Sequence, residues 1–501
     1  MRNRSSKRVA GILLASSIAS LPGLAQEPAR GPRTLVLSLE DALRIAAGES
    51  ESIWVAESGV MRAVGGERIV RSQLFPQVSA SAQYTRTLRS QFDDISFGGA
   101  PDEGGEEVDL PFGRENQYTL GLNLSQLLFD GGQVFAQRRA AEARRRSAEI
   151  EVDSALAQTL LDVTQAYFDS RLSDQLVTIA ETSLQQTEEI LRQTEVARQV
   201  GDKSEFELLR ARVARDNQRP VLIRRRTARS EAYLQLKQLL NIPPEDEVTL
   251  TTGVEEEVAR FTRANTAAEV SPDERAPVRQ AAENVEANEA QLAETRGQRL
   301  PSLTLSSRYA PVAFPEDGIP EPGDFQEDWT VTVSLSVPIL TWGRLRGNEQ
   351  VARGNLDEAR ARLVQTREAA ALDARLAAND LADASATLEA SLSTTDEARR
   401  AYSIAQVRFR EGIASQIELA DSRLLLEQAE VNRAQALRDL QVARARLALL
   451  EDLPLGTFGT GGVVVPSFQT PQVPTQQTNP QNPTVTASSV PNTGGTGAPI
   501  P

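Results

Sequence analysis

Two stretches of this chain follow one pattern: VGDKSEFEL at residues 200–208 and EGIASQIEL at residues 411–419. They share a glycine, then a serine, then a glutamate at equal spacing. The same offset pairs Pro243 with Pro454, after the helix-rich segment that follows each stretch. A match at a fixed spacing is the signature of an internal repeat, so we predict that the chain is a duplication. The matched positions are Gly201 with Gly412, Ser204 with Ser415, and Glu207 with Glu418.

The duplication divides the chain into five predicted parts. The first repeat covers residues 38–242 and the second covers residues 274–454, and each contains a helix, two barrel strands and a long helical hairpin. Between them, residues 243–273 break the helical pattern with clustered acidic residues. Residues 455–501 carry no charge and are rich in Pro, Thr, Gln and Gly, so we expect a disordered tail. The fifth part, residues 1–25, is a predicted signal peptide.

The N-terminus has the parts of a secretory signal peptide. Basic residues at positions 2, 4, 7 and 8 precede an apolar run over residues 9–21, and small residues follow just before Gln26. A membrane anchor is the competing interpretation, but this run is shorter than the roughly 20 residues that a helix needs to cross a bilayer. We therefore predict export, with cleavage near Gln26.

The composition argues against most catalytic and nucleic-acid-binding functions. The 501 residues include no Cys and no His, which removes disulfides, thiolate metal sites and the commonest acid–base side chain. The net charge of -15 disfavours binding to phosphate backbones. We predict a protein that is not an enzyme, with no catalytic residue, cofactor, metal site or nucleic-acid partner. A secreted glycosidase that uses carboxylates alone is the remaining enzymatic alternative.

Each repeat contains one very long helix, a tight turn and a returning helix. Proline is absent over residues 112–219 and again over residues 339–453, and strong helix formers dominate both stretches. A helix from Gly132 to about Gln199 would be a rod of roughly 100 Å. Glycine ends helices and serine caps them, so the repeated stretches predict the tips of two antiparallel hairpins. A coiled-coil scaffold or tether would also contain such rods.

Four segments alternate apolar and polar residues at period two, which predicts β-strands. Over residues 329–337 every second residue is apolar, and Thr or Ser stands between. Residues 118–124, 302–309 and, more weakly, 78–84 repeat this pattern. A soluble sheet with one face on a core would alternate in the same way. A coiled-coil tether would leave these strands unexplained.

Aromatic residues at both ends of the strands favour a membrane-spanning sheet over a soluble one. Tyr and Trp concentrate at the two water interfaces of membrane barrels, where their rings meet the lipid headgroups. We therefore predict that these residues contact outer-membrane lipid. The set at the loop-side ends is Tyr84, Tyr118, Tyr309 and Trp329, and the set at the helix-side ends is Phe75, Phe129 and Trp342.

Four strands from one chain cannot close a barrel, because the smallest membrane barrels contain about eight strands. An open sheet edge in lipid would leave backbone groups without hydrogen bonds, at a cost of several kcal/mol for each group. Copies of the chain must therefore share a barrel. Two copies would supply eight strands and three would supply twelve. Only the wider barrel leaves a useful lumen, which favours a trimer.

Three motifs make the chain resemble a known family. LSLEDAL at 37–43, LLFDGG at 127–132, and FREG at 409–412 leading to ELAD at 418–421 are similar to segments of TolC-type outer membrane efflux proteins. The resemblance implies a mainly α fold with membrane β and an internal twofold repeat. It also implies a homotrimer, in which a twelve-stranded β-barrel with four strands per chain continues into a long α-helical barrel.

The resemblance further implies a function and partners. Such a protein is the exit duct of a tripartite system, located in the cell outer membrane and extending into the periplasm. It receives substrates through a periplasmic adaptor, or membrane fusion, protein from an inner-membrane transporter of the RND or ABC type. Small-molecule efflux is the first expectation, and type I protein secretion is the alternative. The adaptor is expected to contact the tips at Gly201, Ser204, Gly412 and Ser415, although capping alone would also explain these residues.

The resemblance also implies a gate at the periplasmic mouth. In the family, carboxylates just after the second tip glycine narrow the pore, and the matching residues here are Glu418 and Asp421. Their spacing puts both on one helix face, although solvated surface acids would show the same spacing. The family's locking contacts join an aromatic hydroxyl and an Arg to an acid of the first repeat. Glu207 matches that acid, but Phe409 has no hydroxyl and Ala414 replaces the Arg.

Overall fold

The computed structural model describes residues 33–89, 115–255, 271–315 and 319–456. The predicted signal peptide at residues 1–25 lies outside these ranges, as do residues 457–501 of the predicted tail.

The helices follow the predicted plan in both repeats. The first repeat contains α1 (Leu39–Glu49), α2 (Glu51–Ser72), α3 (Gln133–Gln199) and α4 (Glu205–Leu239), and the second contains α5 (Ala276–Gly297), α6 (Arg344–Arg410) and α7 (Gln416–Ala448). α3 and α6 each have 67 residues, so each is a rod of about 100 Å. Within the described ranges, no helix combines the length and the apolar character that crossing a membrane requires.

Among the described residues, the strands form two sheets. In chain order they are β1 (Thr34–Leu37), β2 (Gln77–Arg86), β3 (Asn116–Phe129), β4 (Glu247–Leu250), β5 (Ser302–Tyr309), β6 (Val312–Ala313), β7 (Phe325–Gln326) and β8 (Trp329–Ser336). The four predicted strands are confirmed as β2, β3, β5 and β8, which pair antiparallel in that order.

The described ranges contain four further strands that were not predicted. β6 and β7 form a short antiparallel pair beside the loop-side end of β3. β1 and β4 form a separate parallel pair, which joins the start of the first repeat to the segment between the repeats. These strands have two to four residues each, which is too short for a period to be visible in the sequence.

Apart from Leu127, which lies opposite Thr304, the register of the main sheet places the large apolar residues of its long strands on one face. Leu122 lies opposite Tyr309, and Leu305 lies opposite Val333. Directly opposed residues of an antiparallel pair point to the same side of the sheet, so the four alternating patterns coincide. The other face carries Ser, Thr, Asn and Gln residues together with Arg308.

The start of α3 is held against the second repeat. The Asp130 carboxylate accepts hydrogen bonds from the backbone N–H of Gly132 at 3.0 Å and of Val134 at 2.6 Å, which caps the helix. Gly131 adopts φ +71°, and a Cβ at this position would lie 2.6 Å from the carbonyl oxygen of Gly297. This close approach between the end of β3 and the end of α5 requires a glycine.

The main hydrophobic cluster lies near the middle of α3, where the two repeats meet. It contains the fully buried Tyr167 and Phe168 together with residues of α1, α4, α7 and the small sheet. The Tyr167 hydroxyl donates to the carbonyl oxygen of Leu37 at 3.2 Å and accepts from the N–H of Thr252 at 2.9 Å. One buried hydroxyl thereby fixes the small parallel sheet to α3.

The helices and strands lie side by side in three successive sections of the chain, and the outermost elements on each side come from the same repeat in every section. Between the main sheet and the middle of the chain, the helix order is α2, α3, α5, α6. Between the middle and the hairpin tips, the order is α4, α3, α7, α6. In the sheet the order is β2, β3, β5, β8. First-repeat elements therefore form one edge throughout, and β8 with α6 forms the other.

Candidate functional site

The two hairpin tips have the same backbone construction. Gly201 ends the turn after α3 with φ +85°, and Gly412 does so after α6 with φ +73°. The Ser204 hydroxyl accepts from the N–H of Glu207 at 3.3 Å, and the Ser415 hydroxyl accepts from the N–H of Glu418 at 3.2 Å. The turn and cap predicted for both repeats are confirmed.

The predicted gate carboxylates lie on the first turns of α7. Glu418 forms an ion pair with Arg408 of α6, with Arg408 Nη1 and Glu418 Oε1 3.1 Å apart. Asp421 is exposed one turn further along. Sequence reasoning missed Arg408, although positions equally far from the turn of an antiparallel hairpin face each other. Within a single chain, the negative charge of Glu418, one of the two predicted gate carboxylates, is therefore paired with the positive charge of Arg408.

Phe409 is buried in the second tip. Only 8% of its surface is exposed, and it packs with Tyr402, Ala414 and Leu419. Ile190 of α3 packs against the same cluster, so the two hairpins touch here. Phe409 and Ala414, where the sequence departs from the locking contacts that the resemblance implies, thus lie together in an apolar cluster.

A lysine that the sequence did not single out connects the two tips. The Lys203 ammonium lies 5.2 Å from the centre of the Phe409 ring, a cation–π distance, and 3.4 Å from the Glu207 carboxylate. Glu207 Oε2 also accepts from the N–H of Ser204 at 2.9 Å. This backbone hydrogen bond, and to a smaller extent the charge of Lys203, lowers the pKa of Glu207 below its ordinary value of 4.5.

A second polar contact joins the hairpins further from the tips. Glu427 of α7 accepts from the Ser183 hydroxyl of α3 at 2.7 Å and from the Gln218 amide of α4 at 3.1 Å. It also pairs with Arg423 at 2.9 Å, and both charged side chains are largely buried. This network fixes the first hairpin to the second before the tips are reached.

The predicted membrane-interface aromatics lie at the two ends of the main sheet. At the loop side, the Tyr84 and Tyr118 rings are 4.7 Å apart, and the Tyr309 and Trp329 rings are 6.5 Å apart. At the helix side, Phe75 and Phe129 are about half exposed, and Trp342 is 90% exposed. Between the two levels, the apolar side chains of β8 are mostly exposed. A single chain therefore presents an apolar sheet face bordered by aromatics.

The described part of the chain contains no group of three or more acidic side chains arranged to hold a metal ion.

The sequence comparisons match outer membrane proteins of export or efflux systems. A family model described as "Outer membrane efflux protein" matches residues 42–241 and 271–450. The chain is 24% identical over 427 residues to the pyoverdine export outer membrane protein OpmQ of Pseudomonas putida, covering 83% of this chain and 85% of that protein. It is 25% identical over 364 residues to the toluene efflux pump outer membrane protein TtgI of Pseudomonas putida, covering 71% and 72%.

Comparisons of structure agree. The Campylobacter jejuni CmeC outer membrane channel matches with a TM-score of 0.68 at 18% identity, over 83% of this chain and 86% of that chain. The Neisseria gonorrhoeae MtrE outer membrane channel, in its open state, matches with a TM-score of 0.66 at 19% identity, over 83% and 89%. These likenesses confirm the predicted fold class.

Proposed function

This chain belongs to the outer membrane efflux protein family, and from that premise we propose that three copies assemble into one duct that carries small molecules across the periplasm and outer membrane. Membership makes the chain an outer membrane efflux channel and not an enzyme, as the sequence predicted. It also excludes the coiled-coil tether that the sequence left open.

The observation that carries the proposal of a shared ring is the equal edge order at every level. One copy ends in β8 and α6 on one side, and in β2, α2 and α4 on the other. The second edge of one copy can therefore meet the first edge of the next along the full length of the chain. A contact between two different surfaces closes into a ring when the rotation between copies allows it.

Apolar side chains are exposed on the helices of both edges. On α4, Phe206, Leu209 and Val213 follow helical spacing and are at least half exposed. On α6, Ile404 and Val407 are similarly exposed near the second tip. A continuous apolar stripe on a helix of a water-surrounded hairpin needs a partner helix, and the neighbouring copy would supply it.

The sheet makes a stronger demand for a shared ring than the helices do. Within the described residues, β2 pairs with β3 alone and β8 pairs with β5 alone. Each therefore has one edge of backbone groups without a strand partner, which lipid does not tolerate. Pairing β8 of one copy with β2 of the next satisfies both edges, and three copies give a barrel wide enough for a lumen.

A matched pair of substitutions tests which face of the sheet meets lipid. Val333→Arg places a charge on the apolar face, where it costs about 2–4 kcal/mol at the membrane midplane. Thr332→Arg places the same charge on the opposite face of the same strand. We expect the first variant to lose the assembled oligomer from purified outer membranes and the second to retain it. Equal recovery of both variants would contradict the barrel.

We place the gate at Glu418 and Asp421, with Glu207 and Phe409 beside them. Three copies would gather these carboxylates around one axis, where they attract cations and oppose the passage of anions. Glu418→Ala with Asp421→Ala should raise single-channel conductance or reduce cation selectivity in planar bilayers. Asp202→Ala with Glu205→Ala removes two exposed acids of the first tip and serves as the control. Identical currents from both variants and the unaltered protein would remove the two acids from the gate.

The tips at Gly201, Ser204, Gly412 and Ser415 are the proposed contact for a periplasmic adaptor that leads to an RND or ABC transporter. The names of two relatives, which refer to pyoverdine export and toluene efflux, support small-molecule cargo over type I protein secretion. Cross-linking in cells from a photoreactive residue at position 204, followed by purification, should recover an adaptor. A photoreactive residue in the middle of α3 is the control. Recovery of none, or of a secreted polypeptide, would contradict this assignment.

A further inference from the structure

The chain uses arginine for almost all of its positive charge. Lysine occurs three times in the sequence, at Lys7, Lys203 and Lys237. Lys237 lies at the end of α4, where its ammonium donates to the carbonyl oxygen of Pro244 at 3.0 Å. Lys203 is therefore the lysine that the described ranges place at a hairpin tip.

The fold brings Lys203 to the junction of the two tips. The positive φ of Gly201 turns the chain, and the cap at Ser204 draws the Glu207 carboxylate back toward the turn. The ammonium then lies 3.4 Å from Glu207 Oε1 in its own repeat and 5.2 Å from the centre of the Phe409 ring in the other. With 20% of the Lys203 side chain exposed, both contacts are partly shielded from water.

The repeat alignment adds an independent observation. Lys203 stands between Gly201 and Ser204 at the position that Ala414 occupies between Gly412 and Ser415. In the locking contacts that the resemblance implies, an Arg stands at the position that Ala414 occupies here. This chain carries the cation at the equivalent position of the first repeat, and its partner in the second repeat is the aromatic face of Phe409.

We propose that Lys203 is the positioning residue that fastens the first hairpin tip to the second and holds the periplasmic gate closed. The inference rests on the proposed gate function of the tips. A lysine suits this role because its flexible stem lets one ammonium contact a carboxylate and a ring together. When the tips separate, the contact with Phe409 is lost, while the contact with Glu207 stays within the first tip.

The test is the open probability of the full-length channel in planar bilayers. Lys203→Met keeps the stem but removes the charge, and we expect the open probability to rise roughly three- to tenfold. Lys203→Arg retains a cation that can stack on the ring and should behave like the unaltered protein. Lys237→Met removes the other described lysine and should change nothing. Equal gating of Lys203→Met and the unaltered channel would overturn the proposal.

A double-mutant cycle assigns the effect to the ring contact. If Lys203 acts through Phe409, the double variant Lys203→Met with Phe409→Leu should open no more often than the more open single variant. Independent, multiplying effects would overturn the link between the two residues. Because variants can misassemble, the Lys203 amine should also be acetylated in the assembled channel carrying Lys237→Met. Acetylation neutralises the charge and should open the channel as Lys203→Met does, whereas unchanged gating after complete acetylation would overturn the proposal.

The gate variants separate this inference from the proposed function. If Glu418→Ala with Asp421→Ala changes the current but Lys203→Met does not, the gate stands and the role of Lys203 is wrong. If the protein forms no channels, the proposed function itself fails.

Discussion

The two hairpin tips share a turn but distribute their charges differently. In the first tip, Lys203 and Glu207 form an ion pair that also reaches the other repeat. In the second tip, Ala414 occupies the position of Lys203, and Glu418 turns to Arg408 of its own hairpin. The backbone turn is thus similar in the two tips, while the cation that joins them comes from the first tip and the aromatic ring from the second.

The two repeats also differ in the contacts that hold their middle sections together. The first repeat fixes its small sheet to α3 through the neutral hydroxyl of Tyr167. The second fixes the start of α5 to α6 through Arg275, which is 0% exposed and lies 2.8 Å from Asp373. Asp373 also pairs with Arg446 of α7 at 3.0 Å. A duplicated fold can therefore meet one packing demand with a hydroxyl in one copy and with buried ions in the other.

The largest effect should come from breaking the buried ion pair of the second repeat. Asp373→Ala leaves the Arg275 cation buried without its partner and should cost about 3–5 kcal/mol, read from the denaturant midpoint of the solubilised protein. Tyr167→Phe removes a neutral hydroxyl and should cost about 1–2 kcal/mol. Arg275→Met with Asp373→Leu should recover part of the loss because the Arg275 charge is removed together with its partner, while Arg446 keeps its ion pair with Asp380. A larger loss for Tyr167→Phe would reverse the comparison.

Two glycines that lie just before the long helices should give the next effect. Gly131 and Gly343 both have positive φ, so alanine strains either position by about 1–2 kcal/mol. At Gly131 the new methyl group would also meet the Gly297 carbonyl oxygen, whereas nothing lies within 4 Å of it at Gly343. We expect Gly131→Ala to cost about 2–4 kcal/mol and Gly343→Ala to cost less. Equal thermal stability of the two variants would show that the contact with α5 is not tight.

The caps of the returning helices should differ by a smaller amount. Ser204→Ala and Ser415→Ala each remove a cap worth about 1 kcal/mol. In the first tip the bond that Glu207 returns to the Ser204 N–H should also weaken, because it completes a capping box. Hydrogen exchange at the start of α4 should therefore accelerate more in Ser204→Ala than exchange at the start of α7 does in Ser415→Ala. A larger acceleration at the start of α7 in Ser415→Ala would contradict this difference between the two caps.

The pH dependence of the first tip follows from Glu207. Its pKa is lower in the folded chain than the ordinary 4.5, so its stabilising contacts are fully present above 4.5. They are lost as the pH falls through the folded-state pKa. Amide protection at the start of α4 should decrease in that window, and Glu207→Gln should abolish this dependence. Protection that is unchanged down to pH 2 in the unaltered chain would argue against the lowered pKa.

The sequence predicts the elements of this molecule better than the contacts between them. The long hairpins are visible because proline-free runs end at Gly201 and Gly412, and the strands are visible because residues 329–337 alternate. Both signals are local. The contact of Lys203 with Phe409 joins residues of different repeats, and its existence depends on how α3 packs against α7.

The buried Arg275 and the small parallel sheet were missed for a related reason. An arginine in sequence reads as a surface residue until its partner is known, and Asp373 is far along the chain. β1 has four residues, and its partner β4 lies more than 200 residues away, in the segment between the two repeats. Pairing between such distant segments is fixed by the surrounding core rather than by any local pattern.

The most direct test of the shared barrel uses the absence of cysteine from the chain. Ala80→Cys on β2 would be combined in turn with Val331→Cys, Val333→Cys and Leu335→Cys on β8, which lie on the same sheet face. Within one copy, β3 and β5 separate these strands by about 14 Å, beyond the roughly 7 Å limit for a disulfide. Oxidised outer membranes should therefore yield a ladder of linked species that ends at three chains in at least one combination. Single chains throughout, or a ladder that ends at two or continues past three, would contradict the account.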